Sequence, residues 1–393
     1  MQTLSVYLQR MNKKKNKVLV AVSNDLYTDQ RVHKICSFIH KQGYDVKLIG
    51  RLKKDSKTNL NRAYQTFRFR MIFHKGALFY AEFNLKLFFY LLFHPAKKIV
   101  SNDLDTLLAC YLAKKLKLNC DIIYDSHEYF TEVPELVNRP KIQKIWEMIE
   151  GAIFPHLNQI STVNHSIANL YKKKYNKNLA VIRNIAPKWH KPESLKSKSE
   201  LGIPEGKLIL IIQGAGINID RGAEEAVEAM KNIENTCLII VGDGDVVPSL
   251  KNYVKEERLT EKVLFFPKVD YQTLMQYTFH ADIGLTLDKP LNINYQYSLP
   301  NKVFDYIQAD TPILGSNLIE VATIIQQFEV GITINEVNAK TIINSIEKIQ
   351  KEPKILDLWK SNCNKVQDDL SWEKECLKLE KFYPKLTAFH TVS

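Results

Sequence analysis

No two cysteines of this chain stand in a C-x-x-C spacing. The six, Cys36, Cys110, Cys120, Cys237, Cys363 and Cys376, are scattered over 393 residues. Such scatter argues against a zinc site or a disulfide framework and for reduced thiols in a cytosol. No apolar signal-peptide core precedes the first strand, so a cytoplasmic location is expected. Neither G-x-G-x-x-G nor G-x-x-x-x-G-K-S/T occurs, which leaves dinucleotide and P-loop binding unsupported. H-E-x-x-H is also missing, and the D-x-D formed by Asp103 and Asp105 sits before a helix, where capping is the simpler reading. No metal and no resident cofactor are expected. No apolar run reaches the roughly 20 residues that a spanning helix needs. No repeat is shorter than a domain, and no low-complexity tract exceeds the lysine clusters.

What is present fits an ordinary globular protein, with 45% hydrophobic and 25% charged residues. The length is too great for one core, so two domains are expected. A net charge of +12 admits two readings. One is a general bias towards Lys, Asn, Ile and Tyr. The other is attraction to anionic lipid headgroups, aided by Lys13, Lys14, Lys15 and the stretch Leu85 to Lys98, LKLFFYLLFHPAKK. That stretch reads equally as an interfacial helix, peripheral at the inner face of the cell membrane, or as a core helix of the first domain. Nucleic acid is not an expected partner, because the basic residues are not interleaved with aromatics on one module.

Along the chain two similar α/β halves emerge. After a basic extension over residues 1–16, KVLVAVS (Lys17 to Ser23), a helix over Asp29 to Gln42 and the strand DVKLIG form a βαβ unit, hence a parallel sheet. KIVSN, DIIYDSH, QISTV and LAVIRN continue the strands of a domain over residues 17–187. Residues 188–206, rich in Pro, Lys and Ser, read as a linker. A second domain over residues 207–370 repeats the pattern with KLILIIQG, TCLIIVGDG, VLFFPKV, ADIGLTL, TPILGS and VGITI. A closing helix, Trp372 to Phe382, lies within the last segment, residues 371–393. The fold class is therefore α/β, two doubly wound Rossmann-like domains facing across a cleft, with ligands at the carboxyl ends of the strands.

Those strand ends carry the candidate residues. DSHEYF puts His127 and Glu128 after a strand, where a histidine can donate to a sugar hydroxyl, or can simply be a loop histidine. Ser23, Asn24 and Asp25, and Asn102 and Asp103, end two other strands as polar contacts or helix caps. QGAGINIDRG places Arg221 behind a glycine-rich loop with Gly214 and Gly216, suited to bridging phosphates. VGDGD supplies Gly242, Asp243 and Gly244, beside a base or merely in a turn. SLPNKVFDYI begins a helix at Pro300 and Asn301, with Lys302 in its first turn and Asp305 one turn on. Free N–H groups and a cation there suit a phosphate, although most helix starts bind nothing.

In order, NDLYTDQRVHK, DSHEYF, VIRN, QG…DRG, VGDGD, FFPKV and SLPNKVFDYI resemble the retaining glycosyltransferases of family four, which have the GT-B fold, and in particular a bacterial SLPNK-type subgroup. The resemblance spans about Lys17 to Phe382. It implies transfer of a sugar from a nucleotide-diphosphate donor to a glycan or lipid-linked acceptor in cell-surface polysaccharide synthesis. The first domain would bind acceptor, through Ser23, Asn24, Asp25, Asn102, Asp103 and Glu128, and the second would bind donor. By the same resemblance Arg221, Asn301 and Lys302 face the diphosphate, Asp305 holds the ribose, and His127 touches the donor sugar. Gly214, Gly216, Gly242, Asp243, Gly244, Val269, Tyr297, Ser298, Leu299 and Pro300 complete the donor wall. His127, Arg221 and Lys302 are the catalytic set. The sequence departs from the family where Tyr297 replaces the first glutamate of E-x7-E and Ala215 replaces a basic residue. A nucleotide-sugar 2-epimerase of the same fold is the enzymatic alternative, and a non-catalytic sugar-nucleotide-binding subunit the other. Uridine or guanosine donor, sugar and acceptor are left open.

Overall fold

A computed structural model describes residues 16–386, apart from 28, 55, 58, 59 and 117–119. Lys13, Lys14 and Lys15, with the rest of the basic extension up to residue 15, and the tail from residue 387 lie outside the described residues. The chain divides into two compact units.

The first unit runs to Arg183 and regains the chain from Cys376. Its strands are β1 (Lys17–Asp25), β2 (Asp45–Leu52), β3 (Gln65–Arg70), β4 (Lys98–Asn102), β5 (Asp121–Ser126), β6 (Gln159–Thr162) and β7 (Ala180–Val181). They pair in parallel throughout, in the order β3-β2-β1-β4-β5-β6-β7. Val18 to Val22 of β1 are buried on both faces, as helices over a central parallel strand demand. The helix Gln30–Lys41 crosses from β1 to β2; Asp29 caps it by accepting from the Val32 N–H at 3.0 Å. Gly43, at φ 94°, ends it.

The sequence reading had no strand at β3. As an edge strand, QTFRFR is paired only to β2 and shows a weak alternation rather than an apolar run. LAVIRN contributes just two residues, β7. The stretch Leu85 to Lys98 is divided between a helix and a strand. The helix Gly76–Phe93 buries Phe79, Phe83, Leu87 and Leu91 at four-residue spacing and leaves Leu78, Leu85, Phe89 and Phe93 exposed. Lys98 belongs to β4, buried, 3.8 Å from Asp121, and so is no candidate for lipid headgroups.

The second unit, Asn184–Glu375, holds β8 (Leu208–Gly214), β9 (Thr236–Gly242), β10 (Val263–Phe266), β11 (Ile283–Thr286), β12 (Ile313–Ser316) and β13 (Gly331–Ile334). All pair in parallel, in the order β10-β9-β8-β11-β12-β13. Both sheets reverse direction of winding beside their first strand, between β1 and β4 and between β8 and β11. Those are the switch points at which ligands bind in such folds. One boundary differs from the sequence reading. Residues 188–206 are no free linker: Trp189, Leu201 and Ile203 are buried against the second unit's core. Near the C-terminus, Tyr383 packs on Tyr44 and the Leu386 N–H donates to the Gln42 carbonyl, inside the first unit.

Candidate functional site

In the second unit the loops after β8, β9 and β11 converge at the switch point. Asp243 N–H donates to the Gly214 carbonyl (3.0 Å), and Ile217 N–H to the Asp243 carbonyl (3.1 Å). Gly242 is required by this contact, since a Cβ there would lie 1.9 Å from the Gly214 oxygen at φ 136°. The glycine-rich loop ends at Gly222, φ 75°, where a Cβ would meet the Leu287 Cβ at 2.3 Å. That approach carries Arg221 to the end of β11. There its Nη1 lies 3.3 Å from Oδ1 of Asp288, a carboxylate 1% exposed, and its guanidinium covers the Tyr295 ring at 5.2 Å.

Lys302 belongs to the same electrostatic group. Burial pushes its ammonium below the usual value, the Asp288 carboxylate opposes that, and Arg221 adds to it. Lys302 starts the helix Asn301–Gln308, which has Pro300 as its cap and no side-chain bond to its first N–H groups. Arg221 Nε, Thr286 Oγ1, Ser298 Oγ and both Asp288 carboxylate oxygens are buried without a hydrogen-bond partner among the described residues. Buried polar groups are rarely left so. Asp288 was missed by sequence reasoning. The rule that drew attention to His127, a polar residue just past a strand, applies equally to TLDKP.

The other donor candidates sit at varied distances from this cluster's chemistry. Asp305 accepts from Tyr271 Oη at 3.1 Å and from Gln213 Nε2 at 3.2 Å, one bond on each carboxylate oxygen, which leaves acceptor capacity on both. Gly216 is open, with nothing within 4 Å of a built Cβ. Gly244 instead packs on the Ile217 backbone, and Val269 and Leu299 lean on the hydrophobic core. Tyr297 closes the short helix Ile293–Gln296, its N–H donating to the Ile293 carbonyl.

The first unit has its own polar centre, at the ends of β1, β4 and β5. Arg31 grips Asp125 bidentately, Nη2 to Oδ1 at 2.8 Å and Nε to Oδ2 at 3.1 Å. Burial pushes the Asp125 carboxyl up, but Arg31 and His127 together outweigh it and hold the group well below the usual carboxylate range. His127 is clamped between carboxylates: Nδ1 lies 3.2 Å from Asp103, and Nε2 3.2 Å from both Asp125 and Asn102 Oδ1. Burial alone would lower its pKa, yet Asp103 and then Asp125 raise it to about 9. His127 is thus an imidazolium whose two N–H groups are already used. The expectation that it donates directly to a sugar hydroxyl does not fit this arrangement; its charge is what it offers.

Ser23, Asn24, Asp103, Asp105, His127 and Glu128 line one cavity of ≈ 840 Å³. Asp105, which accepts from the Ser23 hydroxyl, is raised to about 7 by burial and by Asp103. Burial, then Asp103, raises Glu128 to about 8. Two acceptor candidates turn away from the cavity. Asp25 accepts from the Tyr27 N–H and the Ser56 hydroxyl, and Asn102 donates to the Ala21 carbonyl while supporting His127. Asp103 spends its carboxylate on His127, not on a helix cap. No group of three or more His, Cys, Asp or Glu side chains among the described residues is placed to hold a metal ion.

The family described as glycosyl transferases group 1 matches residues 194–366. The second unit carries a glycosyl transferases group 1 domain. No curated protein matches the chain. Among solved structures, sucrose-phosphate synthase from Thermosynechococcus elongatus aligns with a TM-score of 0.73 at 15% identity, over 94% of this chain and 98% of that one. WaaG, a glycosyltransferase involved in lipopolysaccharide biosynthesis, gives 0.73 at 15% identity, over 93% and 99%. HepE from Anabaena, solved with UDP-glucose, gives 0.72 at 12% identity, over 94% and 100%. The fold is GT-B. Arg221, Asp288 and Lys302 all lie within the group 1 domain.

Proposed function

We propose that this chain is a retaining glycosyltransferase of family four, in its SLPNK-type subgroup, moving a sugar from a nucleoside-diphosphate sugar to a hydroxyl acceptor. The observation that carries the reading is the cluster of Arg221, Asp288 and Lys302 at the switch point of the group 1 domain. Two cations beside an uncapped helix start suit a diphosphate, and the buried oxygens of Asp288 suit hydroxyls of the attached sugar.

The chemistry asks little of a protein nucleophile. Arg221 and Lys302 would neutralise charge as the diphosphate departs, the largest single contribution in such a reaction. Its leaving oxygen takes the proton of the attacking hydroxyl on the same face, which retains the anomeric configuration and needs no metal. Asp305 would hold the ribose. The first unit's cavity would take the acceptor, with Asp103 and Glu128 hydrogen-bonding its hydroxyls and His127 balancing the Asp103 charge. A place in bacterial cell-surface polysaccharide synthesis, at the cytoplasmic face of an anionic membrane, completes the proposal. The exposed apolar row of the helix Gly76–Phe93 supports the membrane contact.

The test incubates the protein with UDP- and GDP-sugars and follows nucleoside diphosphate release, with and without glycan or glycolipid acceptors. Release that depends on an acceptor supports transfer. Isomerised sugar without any acceptor would indicate an epimerase, and binding without turnover a non-catalytic subunit.

A further inference from the structure

One helix of the second unit reaches Asp305 twice. The helix Tyr271–His280 opens on Asp270, whose carboxylate accepts from the Thr273 N–H at 3.0 Å and fixes its first turn. From that turn Tyr271 Oη donates to Asp305 Oδ1 at 3.1 Å. Burial, and then the Asp305 charge, push the phenol well above its usual value, so the hydroxyl keeps its proton and stays a donor. Two turns on, Thr278 Oγ1 donates to Gln213 Oε1 at 2.5 Å, which turns the amide so that Gln213 Nε2 donates to Asp305 Oδ2 at 3.2 Å. Gln213, next to last in β8, and Thr278 are both buried. Each oxygen of Asp305 is thus met by a different donor, and the plane of the carboxylate is set from both sides. Asp305 itself is only half-buried, so this is more than its desolvation asks for.

We propose that Tyr271 and Gln213 are positioning residues for the nucleotide, fixing the Asp305 carboxylate so that its oxygens meet the vicinal hydroxyls of a ribose together. The inference rests on the transferase reading and adds to it two residues that act through Asp305. A carboxylate accepts about four hydrogen bonds, so these two donors orient the group without exhausting it. A vicinal diol presents two O–H groups at once, and a carboxylate left to rotate would lose that freedom only when the diol binds, at a cost in affinity. Lys302 stands three residues before Asp305 in the helix Asn301–Gln308, on the same side of it. A ribose is joined directly to its first phosphate, so a diphosphate at Lys302 brings the ribose to the turn that carries Asp305.

The experiment is calorimetric titration of the full chain with UDP, GDP, ADP and CDP and with their 2′-deoxy counterparts. At least one ribonucleotide should bind about tenfold or more tighter than its 2′-deoxy form, the effect of a hydrogen bond to a charged group. Tyr271→Phe keeps the ring and removes one hydroxyl from a residue 37% exposed, so it should fold normally. Gln213→Met leaves Thr278 Oγ1 its bond to the Leu274 carbonyl at 2.9 Å. Each variant should reduce the preference for ribose to about threefold or less while 2′-deoxy affinity stays within about twofold of the intact protein. A preference that survives Tyr271→Phe, one that grows in it, or an equal loss of ribo and deoxy binding would each overturn the proposal, and Tyr271→Phe alone decides should Gln213→Met fail to fold. Intact protein that binds both forms equally keeps the nucleotide reading and loses the positioning role. Binding of none of the eight removes both.

Discussion

Asp288 is the residue on which the proposed donor site turns, because it is buried and its charge is met by Arg221 and Lys302. Arg221→Ala should lower turnover at least a hundredfold by removing charge from the diphosphate. It should also cost about 1–2 kcal/mol of stability, since Asp288 then keeps only Lys302. Adding Asp288→Asn should restore the melting temperature without restoring turnover. A double variant no more stable than the single one contradicts the pairing. His127 makes a prediction of the opposite kind, about pH. Its native value near 9 lies above its ordinary 6.5, so its stabilisation is complete below that ordinary value and lost as pH rises through 9. Asp105 and Glu128, raised to about 7 and 8, act in the same direction at lower pH. The melting temperature should therefore fall between about pH 6 and about pH 9.5, and His127→Asn should flatten the upper part of that fall. A melting temperature that rises over this range would remove the carboxylate clamp from the account.

Among the elements, the strands were the most legible in the sequence and the edges the least. β1, β8 and β9 are buried on both faces, so they show as nearly continuous apolar runs. β3, paired on one side only, does not. Residues 188–206 carry loop composition, but Trp189, Leu201 and Ile203 decide their fate, and three large side chains weigh more than many lysines. The glycine loop was legible as phosphate-friendly, yet Gly222 serves contact with Leu287 and Gly242 contact with Gly214. Gly222→Ala should cost about 2–3 kcal/mol, read by chemical denaturation, and should weaken nucleotide binding by displacing Arg221. An alanine variant of native stability would mean that the loop rests elsewhere. The helix Gly76–Phe93 gives the prediction on membranes. Replacing Leu85, Phe89 and Phe93 with Gln should release the protein from phosphatidylglycerol vesicles in sedimentation while shifting the melting temperature by no more than about 2 °C, because these side chains are exposed. Unchanged sedimentation would leave the row without a membrane role.

For the molecule as a whole, the winding of both sheets says where ligands bind, and residue chemistry says which. The sequence alone pointed to Arg221, Lys302 and Asp305, because each follows a glycine loop or a helix start. It could not reveal that Asp288 joins Arg221 to Lys302, or that Arg31 fixes Asp125 beneath His127, since those partners are far apart in the chain. It also could not show that the helices Gly76–Phe93 and Pro140–Ile153 line one cavity. The central claim is that the second unit binds a nucleoside diphosphate through Arg221 and Lys302. The most direct measurement is a thermal-shift titration of the intact protein and of Lys302→Ala with UDP, GDP, TDP and ADP. At least one nucleotide should raise the melting temperature of the intact protein, with the shift lost or much reduced in the variant. No shift with any of the four, or an equal shift in Lys302→Ala, would contradict it.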